Sequence, residues 1–89
     1  MIKLRTATGA EFPISWIGVS DFDGSLRFEV LAEAGDLPNL FAVFSDPAHT
    51  ATLTRVYDED EKTYTGFTAF KGIERMASGN TVVRLMKGE

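Results

Sequence analysis

The sequence contains no cysteine. That excludes a disulfide framework, thiol chemistry and any cysteine-ligated zinc site. A single histidine leaves little for a metal cluster. Basic charge is also scarce: nine Lys and Arg against thirteen Asp and Glu give a net charge of −4, with an isoelectric point near 4.9. Nucleic-acid binders usually show basic excess, so nucleic acid is not expected as a partner. The longest uninterrupted apolar run, Leu40-Phe41-Ala42-Val43-Phe44, falls far short of a membrane span, and no membrane partner is expected. The opening MIKLRTATG has no long apolar stretch followed by a cleavage site, which points to a cytoplasmic protein. No GxGxxG or GxxxxGK motif is present, and no cofactor is expected.

What is present suits one small globular domain over residues 1–89, with 44% hydrophobic, 11% aromatic and 25% charged residues. The dominant pattern is two-residue alternation, the signal of half-buried strands. Ile2 and Leu4 alternate with Lys3 and Arg5, and Phe12, Ile14 and Trp16 alternate next. Leu26, Phe28 and Val30 alternate with Arg27 and Glu29. Thr8-Gly9-Ala10 and Asp21-Phe22-Asp23-Gly24 supply the turns between them. In the middle the period changes. Leu37, Leu40, Phe41 and Phe44 fall on one helical stripe, with Asp36 as N-cap and Pro38 in the first turn. Pro47 ends that helix near Ser45, and Asp46-Pro47 starts a further helical turn through Thr50. A strand over Leu53–Tyr57 follows, then an acidic turn Asp58-Glu59-Asp60-Glu61 and a long run from Thr63 to Met76. That run would span about 45 Å if straight, so it must bend, and Gly66 and Gly72 mark the places. Ser78-Gly79-Asn80 turns the chain into a last strand over Thr81–Met86.

The expected fold is therefore mainly β with one helix at about 36–45. Six strands in the order βββ-α-βββ form a bent meander closing into a small barrel or roll. Trp16-Ile17-Gly18-Val19 and Phe70-Lys71-Gly72-Ile73 share a pattern, and apolar parity switches within each. A parity switch inside one strand means a bulge or a change of sheet. Each segment is followed by a glycine-containing turn and an apolar-Arg-apolar triplet, Leu26-Arg27-Phe28 and Val83-Arg84-Leu85. Two similar three-strand units, related by a pseudo-two-fold, would explain this. The expected core comprises the helix stripe with Leu4, Phe12, Ile14, Trp16, Leu26, Phe28, Val30, Leu53, Phe67, Phe70, Ile73, Val83 and Leu85.

No complete catalytic constellation is visible, and no catalytic or metal-ligating residue is expected. Ser45-Asp46-Pro47-Ala48-His49 gathers a hydroxyl, a carboxylate and an imidazole. Residues so close along the chain rarely converge as a triad, so capping by Ser45 and Asp46 and a loop position for His49 are expected. Asp21-x-Asp23-Gly24 opens like a calcium loop, but its twelfth position is Ala32 rather than glutamate. Four adjacent carboxylates at 58–61 cannot all aim at one ion and read as a solvated turn. Trp16, Phe22, Tyr57 and Tyr64 are the candidate contacts for a partner or ligand, since aromatics offer large apolar area.

The segment Tyr64-Thr65-Gly66-Phe67-Thr68, with Phe70, Gly72-Ile73 and Gly79-x-x-Val82-Val83-x-Leu85, resembles small β-rich proteins of bacterial prophage tail and structural modules. Phe44-Ser45-Asp46-Pro47 followed by Thr52-Leu53-Thr54 fits the same pattern. The resemblance implies a non-enzymatic protein of virion assembly. It would pack against itself or other phage structural proteins, or be incorporated into a virion. The alternative is a small-molecule or peptide-binding module with a pocket near Trp16 and the helix.

Overall fold

The alternating segments form strands, and there are seven rather than six, as the computed structural model of residues 1–88 shows. They are β1 (Ile2–Arg5), β2 (Glu11–Val19), β3 (Leu26–Val30), β4 (Thr52–Tyr57), β5 (Asp60–Thr65), β6 (Ala69–Arg75) and β7 (Thr81–Met86). Two helices, α1 (Leu37–Phe44) and α2 (Pro47–Thr50), separate β3 from β4. A short 3-10 turn at Ala32–Ala34 precedes them. The extra strand arises because the long run breaks outright at Gly66-Phe67-Thr68 instead of merely bending. Gly66 sits at φ +81°, in the left-handed region where a side chain is strained. Four carboxylates were expected in one acidic turn, but the turn is Asp58-Glu59 alone. Asp60 and Glu61 already pair with β4.

Both helices start as their sequences dictate. The Asp36 carboxylate accepts from the Asn39 backbone N–H at 3.1 Å, and Asp46 accepts from that of Ala48 at 2.9 Å. Each satisfies one of the orphan donors of a first helical turn. Pro38 and Pro47 sit in first turns, where a missing N–H costs nothing. Asp46, ahead of Pro47, is extended at φ −96°, ψ 117°, which separates the two helices.

All strands join one antiparallel sheet in the order β5-β4-β1-β2-β3-β7-β6. The ladder is open: β5 and β6 are its two edges. The expectation of a barrel or roll is thus met only in part. Seven flat strands would place those edges about 29 Å apart. Yet only Gly66, Phe67 and Thr68 connect them, a link that spans at most about 15 Å. The sheet must therefore curl until its edges approach. The link is pinned to the far end of β7, where the Gly88 N–H donates to the Gly66 carbonyl at 2.8 Å. Lys87 Nζ donates to the Thr65 carbonyl at 2.6 Å.

The core fills the concave side. Leu4, Leu26, Phe28, Val30, Phe44, Leu53, Val83 and Leu85 are wholly buried, with Ile14, Leu40, Phe67 and Tyr64 close behind. Phe44 of α1 reaches the sheet and packs against Phe12 and Phe28 at ring distances of 5.1 and 4.9 Å. Phe67, within the link, belongs to the same buried cluster. Three residues expected in the core lie outside it, and Leu37 of the helix stripe is the least exposed of them, only part-buried. Phe41 is 48% exposed and meets Phe70 edge-on at 5.2 Å. Trp16 is 43% exposed on the outer face.

Bulges explain Trp16. The β2–β3 register shifts between Ile14 and Trp16, and the β6–β7 register shifts between Phe70 and Gly72. After the first shift Trp16 faces Glu29, while Ile17 takes the core side opposite Phe28. Parity thus switches before the tryptophan rather than after it. Both bulges fall in the two segments that share a pattern. The pairing scheme is also unchanged when β1, β2 and β3 are exchanged for β4, β5–β6 and β7. First strands pair with each other (β1 with β4), and so do last strands (β3 with β7).

Phe44 is the one side chain of α1 that stacks on two rings of the sheet, so its removal should open a cavity. Phe44→Ala is expected to cost about 3–5 kcal/mol, against about 1 kcal/mol for loss of the Asp36 cap in Asp36→Ala. Urea unfolding of both variants measures this. Equal losses would show that the helix does not depend on its sheet contact.

Candidate functional site

The outer face of the sheet carries a row built by the register. Gly18 of β2 pairs with Arg27 of β3, Arg27 with Arg84 of β7, and Arg84 with Gly72 of β6. Two arginines therefore stand directly opposite each other, flanked by residues without side chains. A Cβ at Gly18 or Gly72 would meet no heavy atom within 4 Å, so the space above both is open. An open depression of about 300 Å³ lies here, lined by Arg27, Lys71, Gly72, Glu74, Val82 and Arg84 among others. The two arginine triplets noted in the sequence are thus brought together by pairing between distant strands.

The two guanidinium groups are not equivalent. Arg27 donates to Ser25 Oγ at 3.1 Å and to Asp23 Oδ2 at 3.3 Å. Asp23 is locked in turn: it accepts from the Ser25 hydroxyl at 2.6 Å and from the Ser25 N–H at 2.9 Å. Those two bonds, led by the hydroxyl and aided by the Arg27 charge, lower the Asp23 pKa from 3.8 to about 2. Arg84 is exposed and has no ion pair among the described residues, and the same holds for Lys71. The row beside it on the same face holds Trp16, Glu29, Val82 and Glu74. Glu29 is tied down by Ser15 Oγ at 2.5 Å and Asn80 Nδ2 at 3.3 Å.

The four aromatic candidates do not converge. Trp16 lies on the outer face, whereas α1 packs on the core side, so they do not wall a common pocket. Phe22 is 97% exposed at the tip of the β2–β3 turn. Tyr57 is half-exposed at the end of β4, opposite Ile2 and Asp60. Tyr64, opposite Leu53, is buried in the core and offers no surface. Its alternation with Thr63 and Thr65 signalled that burial.

His49 lies on α2 rather than in a loop. Its Nδ1 shares a hydrogen bond with Thr8 Oγ1 at 2.6 Å, and its Nε2 stands 4.0 Å from Asp46 Oδ2. That separation exceeds a hydrogen bond. The other Asp46 oxygen is occupied capping α2. The Ser45 hydroxyl makes no hydrogen bond to His49, so the cluster around this histidine holds α2 against the β1–β2 turn. The Ala7 N–H donating to the His49 carbonyl at 2.9 Å belongs to the same seam. Among the described residues no group of three or more His, Asp and Glu gathers as for a metal ion. Among the described residues no helix is long and apolar enough to cross a membrane.

No protein-family model, curated protein or solved structure matches the chain.

The locked Asp23 makes a signed pH prediction. Its depressed pKa contributes stability that is fully present above about pH 4, the unfolded range. The contribution is lost as pH falls toward the folded value of about 2. Thermal melts from pH 5 to pH 2 should therefore fall more steeply for the natural protein than for Asp23→Asn. Titration of Asp23 by NMR with a midpoint near 4 would overturn the assignment.

Proposed function

We propose that this chain is a non-enzymatic structural or assembly protein of prophage type, acting through protein contacts. Its partners are copies of itself or other phage structural proteins, met in the cytoplasm and in part incorporated into a virion. The observation that carries the reading is the open ladder. A curled sheet with its core already filled still leaves the edges β5 and β6 unpaired. Unpaired strand edges are templates for strand addition.

The two edges differ. β5 reads Asp60-Glu61-Lys62-Thr63-Tyr64-Thr65, and its charges blunt pairing. β6 also carries charges, at Lys71, Glu74 and Arg75, but it adds the apolar Phe70 and Ile73, and the half-exposed Phe41 stands against Phe70. We take β6 as the contact edge. The strand exchange symmetry and the paired bulges support two bent units related by a pseudo-two-fold, rolled toward a small barrel. Such a body offers a rigid module for repeated packing.

The β6 hydrogen-bond phase names the variant to make. The Met76 N–H donates to the Asn80 carbonyl at 2.7 Å. By alternation along an antiparallel pair, the N–H groups of Glu74 and Gly72 point to β7, and those of Ile73 and Arg75 point outward. Arg75→Pro therefore removes an outward donor while keeping the β6–β7 ladder. Sedimentation equilibrium over a wide concentration range should show association of the natural protein and at least about tenfold weaker association of Arg75→Pro. A natural protein that is monomeric throughout, and recovers no phage structural protein in a pull-down from lysogen lysate, would overturn the reading.

A further inference from the structure

We infer that the outer-face depression around Arg84 is a docking site for the acidic β4–β5 turn of a second copy of this chain. The inference rests on the self-association proposed above and adds which surfaces meet.

The depression is a local positive site on an acidic protein. Arg27 and Arg84 are direct cross-strand partners. Like charges in that position destabilise a sheet, so folding alone gives no reason to place them together. Asp23 and Ser25 neutralise and hold Arg27 within the chain. Arg84 and Lys71 are left without an ion pair among the described residues. Gly72, beside Arg84, leaves the floor open, and the bulge at Phe70/Gly72 places Lys71 at the rim. The one carboxylate in the lining is Glu74.

The turn supplies the matching shape and charge. Tyr57 pairs with Asp60, so Asp58 and Glu59 form a two-residue tip that projects from the sheet. Asp58 holds a left-handed φ of +53°, which tightens the tip. The last two members of the acidic run are engaged: Asp60 meets Arg55 at 2.6 Å, and Glu61 lies 3.9 Å from Arg5. Asp58 and Glu59 are exposed and have no ion pair among the described residues. Two uncommitted carboxylates on a convex tip thus complement two uncommitted cations in a concave site. Guanidinium matches carboxylate in a planar, bidentate fork, which fixes register as well as attraction. Copies carrying a net charge of −4 repel one another at long range. A locally complementary pair of surfaces then selects one approach among many. Because turn and depression lie on different parts of the chain, each copy offers one of each, and the contact can repeat from copy to copy.

The test uses two exposed charge reversals, Arg84→Glu and Glu59→Lys, with Lys71→Glu and Asp58→Lys as an independent second pair. Thermal melting first checks that each folds as the natural protein does. In sedimentation equilibrium each variant alone should associate at least about tenfold more weakly than the natural protein. High salt should weaken the natural protein in the same direction. An equimolar mixture of Arg84→Glu and Glu59→Lys should recover association. In that mixture an intact turn meets an intact depression, and the other contact joins the two reversed positions, which again carry opposite charge. If the natural protein associates and Arg84→Glu associates equally well, this inference is overturned while the edge-mediated reading stands. A mixture that stays monomeric overturns it as well. A natural protein that never associates overturns the proposed self-association itself.

Discussion

Three residues decide the shape of this protein. Gly66, Phe67 and Thr68 join the two edge strands of a seven-stranded sheet. A flat sheet of that width is about twice as wide as such a link can reach. Curling is therefore a covalent requirement, and the rest of the fold accommodates it. Gly66 takes the left-handed turn, Phe67 is buried in the core, and Lys87 and Gly88 fasten the link to the end of β7. α1 adds Phe44 from the concave side, where the rings of Phe12 and Phe28 receive it.

Curling also needs strands that bend, and the two bulges provide this. Each inserts one residue into a strand and increases the local twist. Each also reverses which side chains face outward beyond it. That reversal puts Trp16 outside, sends Ile17 inward, and aligns Gly18 and Gly72 with the two arginines. The surface chemistry of the outer face is thus a by-product of the same geometry that closes the core. The open ladder has one further consequence: among the described residues, β5 and β6 each have only one neighbouring strand.

Much of the architecture was legible in residue order. Strand positions followed from alternation, and both helix starts from Asp36-Leu37-Pro38 and Asp46-Pro47. A bend or bulge in each repeated segment followed from the parity switch. The errors have local causes. Phe41 shares the helical stripe of Leu40 and Phe44, but the stripe is wider than the contact, so Phe41 is left over the β6 edge. Trp16 lies outside because its alternation with Phe12 and Ile14, read as unbroken, is interrupted by the register shift between Ile14 and Trp16. Tyr64, a candidate contact by its aromatic ring, is buried because its partner across the ladder, Leu53, belongs to the core. The candidate site was legible only in its parts, the two arginine triplets and the two glycine segments, because Arg27 and Arg84 lie far apart in the chain and nothing in their order says that they pair.

By itself the sequence determined much of the local structure: six of the strand regions, both helix starts and their caps, and most of the turns, although not the break that separates β5 from β6. Those follow from side-chain periodicity and backbone preference, which act over a few residues. The tertiary structure alone decided that β1 lies beside β4 and β3 beside β7. Periodicity names the face a residue takes but not its neighbour across the ladder. That neighbour is selected when the whole apolar surface is buried at once, under the constraint that the edges stay within three residues of each other. The Arg27–Arg84 pair and the open edges exist only at that level.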